Sequence, residues 1–268
     1  MRCRSVGGAH WVSLSFAAVV ILAGLQTAAA SVIGFGTNGT GWTFNGYWLD
    51  GTYHPEVAED VLTLTNNLHQ AGTAFFNTQQ TITEFHATFT YQASNPINRW
   101  GDGMTFCLQR QGPTALGNAG GGLGYQSIAP SVAFALNLYD NGQYVGENLF
   151  VNGGLWGGYH PTDTITLLGN PILVTLDYEN SVLNVDLRDL TTGGTYTTTY
   201  AVSIENLLGA DTAYIGFTGG DWNAGMTQTI SNFSFTSGTV PEPSTLAMFL
   251  GLGGMGLIAA YRRRKRSA

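Results

Sequence analysis

The amino-acid pattern predicts an all-β protein, a two-sheet sandwich bracketed by two apolar end segments. Short runs rich in Val, Ile, Thr, Phe and Tyr recur between clusters of Gly, Asn, Asp and Pro. Several of these runs alternate apolar with polar residues, as a sheet buried on one face requires. Between the end segments, no stretch sustains helical periodicity long enough to matter. The clearest predicted strands cover residues 61–65, 84–91, 172–178, 182–187, 195–202, 213–217 and 229–235, and Glu179-Asn180-Ser181 reads as a hairpin turn between two of them. About a dozen strands in one unit of roughly 210 residues suit a two-sheet sandwich.

The two ends carry targeting patterns. Arg2 and Arg4 precede an apolar segment from Trp11 to Leu25, and Thr27-Ala28-Ala29-Ala30 follows. A charged start, an apolar stretch and a small-residue Ala28-x-Ala30 site predict a secretory signal peptide over residues 1–30, with a retained N-terminal anchor as the alternative. The other end reads Pro241-Glu242-Pro243-Ser244-Thr245, an apolar run from Leu246 to Ala260, then Arg262-Arg263-Arg264-Lys265-Arg266. The apolar run is only just long enough for a membrane-spanning helix, where about 20 residues is usual. The basic cluster behind it is expected to stay in the cytoplasm. This stretch resembles the PEP-CTERM sorting signal of Gram-negative bacteria, with a simple C-terminal anchor as the alternative. The resemblance implies export, transient anchoring in the inner membrane, cleavage near Pro241, Glu242 and Pro243 by an exosortase-type protease, and delivery to the outer surface or extracellular matrix. The predicted organisation is a signal peptide (1–30), an exported β domain (31–237) and a sorting segment (238–268).

Charge and cysteine content narrow the function. Between Ser31 and Thr239 the only basic residues are Arg99, Arg110 and Arg188, set against sixteen acids, for a formal charge of −13. Such a domain repels phosphate backbones, which excludes nucleic acid as a partner. With Cys3 inside the signal peptide, Cys107 is alone in the exported domain, so an internal disulfide is impossible. Its setting, Met104-Thr105-Phe106-Cys107-Leu108, predicts a buried small hydrophobe rather than a nucleophile. The five histidines show no metal-ligand spacing.

Chemistry concentrates between residues 101 and 153. Gly101-Asp102-Gly103 puts a carboxylate at a glycine-flanked strand start, and Gly117-Asn118-Ala119-Gly120-Gly121-Gly122-Leu123-Gly124 forms a glycine-rich loop. The apolar strand Ser131 to Leu136 runs into Asn137, Asp140 and Asn141. A carboxylate, accessible backbone N–H groups and amide side chains are what a site needs to grip sugar hydroxyls, and glycine lets a ligand approach the backbone closely. Trp100, Trp156 and Trp222 lie in loops and are candidates for contact with a sugar ring, whereas Trp42 reads as core. Taken singly, each feature also has a plain structural explanation: Asp102 as a turn cap, the glycine loop as a connection, Asn137 as a buried amide satisfied by backbone.

In order and spacing, this constellation resembles the L-type (legume-like) lectins, and the likeness continues through 176–185 and Ala213-Tyr214-Ile215-Gly216-Phe217-Thr218-Gly219-Gly220 to cover roughly residues 32–236. The resemblance implies a concanavalin A-like jelly-roll sandwich that binds carbohydrate or exopolysaccharide. By residue, it implies Asp102 as a sugar-binding carboxylate that follows a cis peptide bond, with Gly101 in place of the usual alanine. Gly121 and Gly122 match the loop that donates backbone N–H to the sugar, and Asn141 matches an asparagine that contacts both ligand and Ca²⁺. Asn137 and the Tyr139 carbonyl fall at calcium-ligand positions. Ala135 stands where the family has its transition-metal glutamate, so that metal site is expected to be absent. Asn137 replaces an aspartate, which removes charge that calcium affinity depends on, and Asp140 and Glu147 are the nearby acids that could compensate.

Three function classes follow. The first is an exported, non-catalytic carbohydrate-binding protein. The second is a glycoside hydrolase, which needs two carboxylates flanking the scissile bond; the nearest pairs, Asp177 with Glu179 and Asp186 with Asp189, sit beside turns, so catalysis is not expected. The third is a structural or adhesive surface protein that keeps the fold without sugar binding, and Ala135 and Asn137 argue for it.

Overall fold

Along Ile172–Glu179 and Val182–Asp189 every second side chain is apolar, so Val174, Leu176 and Tyr178 on one strand share a face with Leu183, Val185 and Leu187 on the other. Two residues join these strands. Asn180 and Ser181 both have positive φ, 54° and 60°, the geometry of a type I′ turn whose twist matches that of the flanking strands. The computed structural model describes residues 31–48, 53–140, 145–155 and 158–238. The signal peptide, the Pro241–Pro243 box with the apolar and basic parts behind it, Asn141 and Trp156 lie outside the described residues.

Two eight-stranded antiparallel sheets pack face to face. The back sheet runs Thr195–Ala201, Val182–Asp189, Ile172–Glu179, Phe85–Ile97, Gly225–Ser237, Val61–Thr65 and Glu56–Ala58, with Ser31–Ile33 beside Gly225–Ser237. The front sheet runs His160–Pro161, Gly146–Val151, Ser131–Asn137, Gly103–Gln109, Thr212–Gly220, Gln70–Phe76 and Trp42–Trp48, with Gln80–Thr81 beside Thr212–Gly220. A five-residue helix, Ile204–Leu208, is the only α-helix among the described residues. None of these elements is long and apolar enough to cross a membrane as a helix.

Between the sheets, Phe217 lies at the centre of an aromatic cluster, with ring centroids 5.0 Å from Phe89, 5.4 Å from Phe106, 5.1 Å from Phe233 and 5.9 Å from Phe35. Trp42 joins this cluster, as its sequence context predicts. The two sheets differ in their outer faces. The back sheet presents alternating polar residues outward, including the exposed His86–Asp177 pair at 2.5 Å. The centre of the front sheet is buried on both sides: every residue of Gly103–Gln109 and Ser131–Asn137 is buried. Its outer side chains, among them Cys107, Ala133, Ala135 and Phe75, form a second apolar cluster with Leu123, Tyr125, Ile128 and Tyr159 from loops folded over the sheet. Burial pushes the Cys107 thiol well above its ordinary range, in keeping with an inert hydrophobe.

The chain ends of the domain lie together. Ser31 pairs with Thr236 and Val32 with Phe235. The strand Gly225–Ser237 pairs with Phe85–Ile97 from Gly225 opposite Ile97 to Ser237 opposite Phe85. At about 3.3 Å per residue, thirteen residues put the Ser31/Ser237 end roughly 40 Å from the Gly225 end.

Candidate functional site

Strand register builds the site. Gly103 starts the central front strand and pairs with Asn137, the last residue of one neighbour, and with Gly220, the last residue of the other. The next residues outward, Asp102, Leu138 and Asp221, therefore emerge together at one end of the sheet. Backbone bonds tie them: the Leu138 N–H donates to Asp102 O at 2.8 Å, and the Asp102 N–H donates to both Gly220 O and Asp221 Oδ1 at 3.1 Å. The Gly101–Asp102 peptide is cis.

A cavity of about 810 Å³ opens at this end, lined by Asp102, the 116–121 loop, Asn137, Tyr139, Tyr159 and the 222–224 turn. Its aromatic wall includes Tyr47 and Trp222, which remain 43% and 40% exposed. His69 meets Trp222 edge-on at 4.8 Å and lies 3.4 Å from Asn223 Oδ1, fixing the turn from behind. Apolar ring faces beside a few polar groups suit a ligand that is itself apolar on one face and polar at its rim.

Among the described residues Asp102 is the only acid in the cavity lining. It is 6% exposed, and its Oδ2 is buried without a hydrogen-bond partner. Asp221, directly behind it, is fully buried; its Oδ1 accepts from Gln228 Nε2 at 3.1 Å and from the Asp102 N–H, while its Oδ2 also lacks a partner. Two of the three orphaned side-chain oxygens among the described residues thus sit at this one spot. An unpaired buried acceptor is costly, so its persistence marks a place where a donor is missing. Burial pushes the Asp102 carboxyl up to about 7, against an opposing pull from the Trp222 backbone amide. Burial also drives Asp221 well above the usual carboxylate range; the Thr65 hydroxyl opposes that rise and the charge of Asp102 adds to it.

The glycine loop takes its place through one short turn. Gly120 has φ 61° and donates to Asp221 O at 3.2 Å; a Cβ there would lie 2.9 Å from Trp222 Cβ and 3.5 Å from Asp102 Oδ2. Gly121 lines the cavity, with open space where a Cβ would stand. Gly122 is buried, donates to Ala119 O at 3.1 Å and does not line the cavity. Of the two glycines expected from the sequence, the structure brings Gly121 to the cavity, and it adds Gly120.

The residues nominated for a metal are arranged differently from a ligand set. Asn137 Nδ2 donates to the Tyr139 carbonyl at 3.0 Å, and Tyr139 N–H faces Asn137 Oδ1 at 3.4 Å. Turning the amide over would set carbonyl against carbonyl, so the bonding fixes its orientation. Calcium takes six to eight oxygens. Here the two described candidates are bonded to each other and offer no carboxylate charge, and no group of three or more His, Cys, Asp and Glu able to hold a metal occurs among the described residues. As arranged, they do not fit a calcium ion. Glu147 does not supply the missing charge. Fully buried on the core side, it accepts from Tyr196 Oη at 2.9 Å and Tyr200 Oη at 2.6 Å, with His160 Nδ1 at 3.3 Å, and so clamps the edges of the two sheets together. Ala135, in the transition-metal position, is buried in the apolar cluster and has no donor atom to offer.

Asp221, Tyr47 and Tyr159 are site residues that sequence reasoning did not single out. Asp221 follows the Gly219-Gly220 pair at a strand end, the one local signal that could have flagged it. Of the loop tryptophans, Trp222 lines the cavity, whereas Trp100 packs against the core beside Gly169.

Solved structures share this architecture. Lectin II from Ulex europaeus superposes with a TM-score of 0.65 at 18% identity, covering 78% of this chain and 99% of that one. The fold is that of the legume lectins. Basic winged bean lectin with Tn-antigen has the legume-lectin fold at 18% identity (TM-score 0.63; 78% and 98% covered). Arcelin-5, a lectin-like defense protein from Phaseolus vulgaris, has it at 16% identity (TM-score 0.64; 80% and 100% covered). Residues 239–265 match the family model described as the PEP-CTERM protein-sorting motif, so a legume-lectin fold here precedes a sorting tail.

Two predictions follow from this geometry. The folded chain holds protons on Asp102 and Asp221 that the unfolded chain releases near the ordinary value of 3.8. Both contributions to stability are therefore complete below that pH; the Asp102 part is lost as pH rises through about 7, and the Asp221 part falls in the same direction as pH rises. The melting temperature should fall over this window by circular dichroism, and the fall should be shallower in Asp102→Asn and Asp221→Asn; an unchanged slope in both variants contradicts the assignment. Separately, Gly120→Ala forces a left-handed alanine against Trp222 and should cost about 1–3 kcal/mol in urea unfolding. Gly121→Ala, with room for its methyl, should stay within about 0.5 kcal/mol of the parent.

Proposed function

We propose that this chain is an exported, surface- or matrix-associated protein that binds carbohydrate without catalysis. The observation that carries the reading is the orphaned, buried Asp102 Oδ2 at the floor of an aromatic-walled cavity. A sugar hydroxyl supplies the missing donor, and the Trp222 and Tyr47 faces take the apolar side of the ring. A domain of charge −13 with a carboxylate in its pocket favours neutral glycans over acidic ones. Glycoside hydrolysis needs a second carboxylate across the scissile bond. Asp221 cannot serve, because it lies behind Asp102 and is bonded to Gln228.

In this reading, residues 1–30 are removed as a signal peptide, 31–237 form the binding domain, and 238–268 carry the Pro241-Glu242-Pro243 box, a membrane helix and the basic end. An exosortase-type protease of a Gram-negative host processes the tail after transient anchoring in the inner membrane, and the product reaches the outer surface or the exopolysaccharide matrix. The domain geometry suits display. Ser31 and Ser237 share one pole, and the cavity lies at the Gly225 end, roughly 40 Å away, so a chain tethered at either terminus holds its pocket outward.

A glycan array probed with the purified chain tests the proposal. Above pH 7, where Asp102 is charged, neutral glycans should be retained, and Asp102→Ala should weaken binding roughly 10- to 100-fold, the worth of a hydrogen bond to a charged group. Absence of binding to every glycan would replace this reading with that of a structural or adhesive surface protein.

A further inference from the structure

The 137–140 segment forms one wall of the cavity at the position where the lectin resemblance calls for a calcium ion, yet its shape is accounted for by the chain's own groups. Asn137 closes a small ring with Tyr139, Nδ2 to the carbonyl at 3.0 Å and Oδ1 facing the N–H at 3.4 Å. The Leu138 N–H is held by Asp102 O at 2.8 Å. Beyond the ring, the Tyr139 side chain packs on Gly101: a Cβ at residue 101 would stand 2.8 Å from Tyr139 Cβ, so the alanine usual in the family is not accommodated. Arg99 sits over the Tyr139 phenol ring, its guanidinium carbon 5.6 Å from the centroid. Arg99 is one of only three basic residues between Ser31 and Thr239, and a cation over a tyrosine face is an attractive arrangement.

We propose that this site is assembled without a metal ion, with Asn137 as the positioning residue that ties the loop and the Arg99–Tyr139–Gly101 stack supplying the packing and the positive charge for which a calcium ion would otherwise be needed. Two departures from the family pattern, Gly101 and Asn137, then belong together. Gly101 admits Tyr139, Tyr139 seats Arg99, and the neutral amide of Asn137 donates to a carbonyl that an aspartate would repel. The inference deepens the carbohydrate-binding reading of the same site, but it concerns how the loop is held, so its test requires no sugar.

The full chain, purified in detergent and dialysed against EDTA, is titrated with CaCl₂ alone while its melting temperature and heat of binding are followed. No saturable heat and no thermal shift are expected. An ion present at a hundredfold its Kd would raise the melting temperature by about 5–10 °C. Hydrogen exchange of the Leu138 and Tyr139 amides gives the local readout: both should be protected in EDTA, and Asn137→Ala should lose that protection while amides of the Phe85–Ile97 strand keep theirs. Saturable calcium binding, or protection at 138–139 that requires calcium, overturns the proposal. A failed glycan array leaves these outcomes untouched, so the two readings fail separately.

Discussion

Burial of the central front-sheet strands on both faces is the constraint from which the rest of the structure follows. The sheet's inner face packs Phe106, Phe134, Leu136 and Phe217 against the back sheet, as any sandwich does. Its outer face carries Cys107, Ala133, Ala135 and Phe75, which must also be removed from water. Leu123, Tyr125, Ile128 and Tyr159 cover them, and the loops bearing these residues are thereby drawn over the sheet. The cavity is the gap at the edge of that cover, where Gly103, Asn137 and Gly220 end in register. Ala135 is one of the residues covered, which gives it a packing role.

At the edge of the cover, buried polar groups have to be satisfied from within the chain or from outside. Asn137 and Tyr139 satisfy each other, and Glu147 is satisfied by Tyr196, Tyr200 and His160. Asp102 and Asp221 each retain an oxygen without a partner. The contrast between closed and open bonding separates the structural polar groups from the candidate binding group more sharply than residue type does.

The back sheet was largely legible because one wetted face preserves the two-residue period: the strands predicted over 172–178, 182–187 and 195–202 form, and Asn180-Ser181 makes the turn between the first two. The front sheet was less so. Gln70–Phe76 is buried at six of its seven positions and has no alternation to read, and Gly72 is there because the Leu64 carbonyl leaves no room for a Cβ. Within the site, Asp102, Gly121 and Asn137 were placed by the resemblance, and they do meet around one cavity. Asp221 escaped because its role comes from a bond to Asp102 across 119 residues, which no local pattern encodes. Glu147 misled for the converse reason: near Asn137 in sequence, it pairs opposite Leu136 and so faces the core.

We propose that a sugar hydroxyl completes the orphaned carboxylate oxygen of Asp102. A crystal structure of the chain with a neutral glycan selected by binding tests this most directly. A ligand hydroxyl is expected within hydrogen-bond distance of Asp102 Oδ2, with a sugar ring against Trp222 or Tyr47. A glycan bound elsewhere, for example on the outer face of the back sheet, with Asp102 Oδ2 still without a partner, would contradict it.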